Sequence, residues 1–148
     1  MQNVNPKLVT LLAATTITGN TATAGTEVAG LQDYIKATIL LTVAAKTMDA
    51  STTMDVYVQY SPDEGTTWDD IAHFAQLTNG AIGNGTYVMF LAQGTGASVV
   101  DRVTDDGATI TANSVRNISW CDRMRIKYDG ANFSGSDTVT LTVTAFMQ

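Results

Sequence analysis

The chain has 148 residues and a mass of 15.7 kDa, the size of one domain with one core. Its 45% apolar content with only 15% charged residues excludes a disordered chain. The 8 Lys plus Arg against 14 Asp plus Glu leave a charge of -6, which disfavours a counterion-releasing grip on nucleic acid. About one residue in six is threonine and only two are proline, a bias toward pleated strands, because a branched Cβ loses rotamer freedom in a helix. The single cysteine, Cys121, forms no internal disulfide, and it reads as a small packed apolar residue beside Trp120. Its only candidate base is His73, far off in sequence and in no motif.

From the N-terminus, Lys7 and the apolar residues 8–14, followed by Ala22, Thr23 and Ala24, have the outline of a secretory signal. Thr10, Thr15 and Thr16 break the apolar stretch, so a strand over 8–17 is expected instead. No run of about 18 apolar residues occurs, so no membrane-spanning helix is expected. Ile35, Ala37, Ile39, Leu41 and Val43 alternate with Lys36, Thr38 and Thr42, a strand with one apolar face. Leu40 and Ala44 break that polarity and suggest cover on both sides at one end. Residues 54–60 alternate again.

Ser61, Asp63, Gly65, Thr67 and Trp68 then match all five specified positions of the pattern S-x-D-x-G-x-T-W, the Asp-box. Its physics is that of a tight hairpin turn: Asp63 accepts from turn amides, Gly65 takes a positive φ, and Trp68 packs its indole against the hairpin. The box predicts that residues 55–60 and 68–74 pair as antiparallel strands. In sialidases it recurs in each propeller blade, but here it occurs once in a chain too short for a six-bladed propeller. Asp69, Asp70 and His73 suggest a metal site, yet strand alternation puts only Asp69 and His73 on one side, and two ligands make a poor site.

Residues 87–92 are apolar throughout, which fits a strand buried on both faces or one covered by a partner. Residues 94–113, with Gly94, Gly96, Gly107 and the acids Asp101, Asp105 and Asp106, read as a long loop or arm inserted in the domain; no calcium-loop spacing is present. Arg123, Arg125 and Lys127 alternate with Met124, Ile126 and Tyr128, as a half-exposed strand requires; a phosphate-binding patch is the sharper alternative. Val139, Leu141, Val143 and Ala145 face a core and Thr138, Thr140, Thr142 and Thr144 face out. The strands at 8–17 and 138–145 carry no charge, so they are expected to pair with each other or to be edges covered by a neighbour. These segments predict an all-β chain: residues 1–148 as a single antiparallel β-sandwich, jelly-roll-like, with seven or eight main strands. No cofactor and no metal are expected.

The order of these elements, from Leu11 and Leu12 through Ile39, Leu41 and Val43, the box at 61–68, His73 and Phe74, the 123–128 strand and the 139–145 strand, resembles small virion proteins of tailed bacteriophages. The likeness runs over nearly the full length, with the box its one specific motif and 94–114 a departure. It implies a non-enzymatic decoration or cement protein on the virion head, made in the host cytoplasm, that stabilises the shell. The implied partners are the major capsid protein and copies of itself, a trimer by analogy, with no nucleic acid and no membrane. The competing class is a neck or tail module, an adhesin binding host glycans through exposed Trp68, Tyr87, Trp120 and Tyr57. An exposed cluster of those rings would favour the adhesin, and rings buried apart would favour the structural role.

Overall fold

A computed structural model describes residues 5–92, 110–115 and 122–148. These form ten strands: β1 (Lys7–Ile17), β2 (Ala22–Ala24), β3 (Lys36–Thr47), β4 (Thr53–Ser61), β5 (Asp69–His73), β6 (Leu77–Thr78), β7 (Gly85–Ala92), β8 (Ser114–Val115), β9 (Arg123–Ala131) and β10 (Thr138–Met147). Seven are main strands of five residues or more; β2 has three residues and β6 and β8 two each. Sheet A has the order β1-β10-β3-β7 and sheet B the order β2-β9-β4-β5-β8, with β6 also on β4; every pairing is antiparallel.

The pairs β1·β10, β2·β9, β3·β7 and β4·β5 nest inside one another, as in one long hairpin. The lateral pairs β10·β3 and β9·β4 roll that hairpin into two facing sheets, the jelly-roll winding. The strands at 8–17 and 138–145 are thus mutual partners, and β1 is at the same time an edge of sheet A.

Alternation places the core. In β10, Val139, Leu141, Val143, Ala145 and Met147 are buried, and Ala37, Ile39, Leu41 and Val43 of β3 meet them from the same sheet. Met54, Val56 and Val58 of β4 and Met124 and Ile126 of β9 face them from sheet B. In β1 the register slips between Thr10 and Leu12 and between Leu12 and Thr15, and the first slip turns both Leu11 and Leu12 inward.

Three expectations change here. Ile35 does not extend the β3 core face: it precedes the strand, its amide donates to the Gln148 carbonyl, and its side chain is exposed, because alternation has no meaning beyond the strand end. Residues 87–92 are not buried on both faces. Among the described residues β7 pairs with β3 alone and is an edge; Met89 and Leu91 point inward while Val88, Phe90 and Ala92 are exposed. Nor is the outer side of β3 covered in the way Leu40 and Ala44 suggested: Leu40 is half-buried and Ala44 exposed.

Candidate functional site

The Asp-box closes the β4–β5 hairpin. Glu64 and Gly65 both have positive φ (57° and 95°), and the Thr66 amide donates to the Asp63 carbonyl at 3.2 Å, which makes residues 63–66 a turn of the type that matches strand twist. The Asp63 carboxylate accepts from the Thr67 amide at 2.7 Å and from the Thr67 hydroxyl at 2.8 Å. Ser61 donates its hydroxyl to Asp63 at 3.0 Å and accepts the Gly65 amide at 2.7 Å. Trp68 is buried and donates its indole N–H to the Gly65 carbonyl at 3.1 Å. All five box residues therefore act on one turn. Beyond it, β4 and β5 pair from Tyr57–His73 to Tyr60–Asp69, as the box predicts.

A register slip between Val58 and Gln59 changes how the acids sit. The extra residue on β5 sets Asp70 opposite Gln59 and His73 opposite Tyr57, both on the outer face of sheet B, while Asp69 pairs with Tyr60 on the other parity. The expected partnership of Asp69 with His73 is thus exchanged for Asp70 with His73. Among the described residues no group of three metal-ligating side chains occurs.

The outer groups of sheet B are bonded to one another. The Arg125 guanidinium lies over the Trp68 ring and donates from Nε to Gln59 Oε1 at 2.8 Å, and Gln59 donates from Nε2 to Asp70 at 2.7 Å. Arg123 pairs with Glu27 beside the box turn, and Lys127 lies 6.0 Å from the Tyr57 ring centre. Arg123 and Arg125 are thus each committed to partners within the protein. Tyr57, expected to be exposed, is buried, its ring 4.2 Å from that of His73.

His73 is buried between two acceptors, Asp55 Oδ1 at 2.9 Å from Nε2 and the Ile110 carbonyl at 2.8 Å from Nδ1. A neutral ring can donate to only one of them and a protonated ring to both. Asp55 also accepts from Gln76 at 3.0 Å and 3.1 Å. His73 lines a cavity of about 280 Å³ with Leu41, Phe74, Tyr87, Met89 and Val115, at the side where β7 and β8 end the two sheets. Its Tyr87 hydroxyl donates to the Gly83 carbonyl at 2.7 Å, and Asn113 is a further polar residue of the lining.

Asp137, which the sequence reading missed, is buried and clasps two distant loops. It accepts from the amides of Ser134 at 2.6 Å and Asp49 at 2.8 Å and from the Thr52 hydroxyl at 2.8 Å. The Ser134 amide first, then Thr52 and the Asp49 amide, hold its carboxyl below the usual range against the opposing effect of desolvation.

Sheet A is different on its outside. Register aligns Leu8, Phe146, Thr38 and Phe90 in one row across all four strands and Thr10, Thr144, Leu40 and Val88 in the next. Phe90 is 74% exposed, Leu8 66% and Val88 51%. Threonines fill much of the rest, with cross-strand hydroxyl pairs at Thr42–Thr86 and Thr16–Thr140. Trp120, Cys121 and the acids Asp101, Asp105 and Asp106 lie outside the described residues, as does most of the 94–113 insertion. Its last part, from Ile110, docks on β5 through the His73 contact and leads into β8. Compared with protein-family models, with curated proteins and with solved structures, the chain finds no match.

Proposed function

We propose that this chain is a structural protein of a tailed-bacteriophage virion, a decoration or cement protein on the capsid surface that binds the major capsid protein and copies of itself and stabilises the shell. The observation that carries this reading is the contrast between the two sheets. On sheet B the polar and aromatic groups are bonded to one another; on sheet A, threonines and apolar side chains face solvent. A surface of that kind suits lasting contact with other subunits. The resemblance in element order and the jelly-roll winding support the same reading, although the winding also serves lectins. Burial of Trp68 under Arg125 and of Tyr57 against His73 weighs against the glycan-binding adhesin, because those rings offer no shared exposed platform.

The test is location and copy number in purified particles. A cryo-EM map with this fold repeated over the head lattice, and hundreds of copies per particle by quantitative gel, are expected. A handful of copies at the neck or tail, or absence from particles together with binding to immobilised glycans, would overturn the proposal.

A further inference from the structure

We infer that the outer face of sheet A is the contact between two copies of this chain, packed face to face. The inference rests on the proposed assembly role and names the surface that serves it.

Charge selects the occupant. The four strands of sheet A contain Lys7, Lys36 and Lys46 and no Asp or Glu, so the remaining residues carry -9 of the chain's net -6. Lys46 is spent on the carbonyls of Thr78 and Ala81, and Lys36 stands at one end of the face. Two copies of an acidic protein can approach here without setting carboxylate against carboxylate, whereas contacts through the acid-bearing remainder bring like charges together.

Shape and area agree with that choice. In one row the short Thr38 lies between Phe146 and Phe90, whose strands are about 10 Å apart. Each copy thus offers the exposed Phe90 ring beside a shorter threonine, an uneven apolar row that a two-fold contact can set against itself. The threonine hydroxyls that pair across strands leave their methyl groups for the interface. From strand spacing and rise, the face projects to about 500 Å² per copy, or about 1,000 Å² for the pair, the lower bound for a specific interface. A reversible dimer with a micromolar dissociation constant is expected. A closed trimer needs two different surfaces at each contact, so on this face the unit is a pair.

Sedimentation equilibrium of the purified full chain across micromolar concentrations tests this, with Phe90→Lys and Val88→Lys on the face and Ala22→Lys on β2 as an exposed apolar control off it. The wild type and the control should dimerise equally, and each face variant should weaken the dimer at least about tenfold while keeping the wild-type circular dichroism and melting. If either face variant fails to fold, Leu8→Lys replaces it at a third exposed position on the same face. A wild type that stays monomeric, or a dimer or trimer that the face variants leave intact, overturns the inference. A protein that dimerises through this face but is absent from particles overturns the functional proposal alone. One found on particles yet monomeric in solution overturns this inference alone.

Discussion

The guanidinium of Arg125 lies 4.2 Å from the centre of the Trp68 ring, on the indole whose N–H is already tied to the turn carbonyl of Gly65. The hairpin's fastener is therefore held from two sides, by its own turn and by β9. Trp68→Ala removes both contacts and should cost about 3–5 kcal/mol, the usual range for emptying a buried aromatic site. Arg125→Ala should cost less, about 1 kcal/mol from the ring contact, plus the hydrogen bond to Gln59. Urea denaturation of both variants checks the order.

The box glycine offers a cleaner contrast. Gly65 has φ +95°, and a Cβ there would lie 2.8 Å from Glu27 Oε2, whereas Gly80 has open space around it. The Glu27 side chain can swing away, but the backbone cannot relax without losing the turn. Gly65→Ala should therefore destabilise by about 1–3 kcal/mol. Gly80→Ala should stay within about 0.5 kcal/mol of the wild type, and matched thermal melts decide between them.

Asp137 predicts how the protein meets acid. Its folded carboxyl titrates below the ordinary value, with the Ser134 amide the leading cause. Its contribution is complete above the unfolded value of about 3.9 and is lost as pH falls through the lower folded value. Asp137→Asn should melt below the wild type at neutral pH, and the gap should close as the pH is lowered past about 4. A constant gap down to strong acid would show that the loops are clasped by something other than the carboxylate.

Ile110 is buried although it lies outside the main core. Its side chain is buried and its carbonyl is bonded to His73, so Ile110→Ala should cost about 2–5 kcal/mol. A deletion of 95–112 that removes it should be less stable than one that stops at residue 108, and comparing their melting temperatures tests how far the insertion can be trimmed.

Sequence reading did best where one face is wet and the other dry. Strict alternation in β10, β9 and most of β3 gave their inward residues directly, and the box gave the β4–β5 pairing with its turn chemistry. It failed where alternation carries no information. Residues 87–92 are apolar on both sides, so nothing in them says that Val88 and Phe90 meet solvent. A single slip in β5 exchanged Asp69 for Asp70, because a bulge leaves no mark in side-chain polarity. Asp137 looked like an ordinary acid before a strand; its partners Asp49 and Thr52 lie 88 and 85 residues away. Strands as short as β2, β6 and β8 have too few residues to show a period at all.

The nesting of the strand pairs also sets the order of events on the ribosome. The innermost pair, β4·β5, spans a short turn and can form as soon as it emerges, but β1, made first, has its partner in β10, made last. Until then a strand whose only charge is Lys7 waits without its neighbour, and pairing across so long a stretch of chain is slow. The outermost pair is thus expected to close last, and a nascent chain stalled before β10 is the species most prone to aggregate, a cost of joining the first and the last of these strands in one sheet.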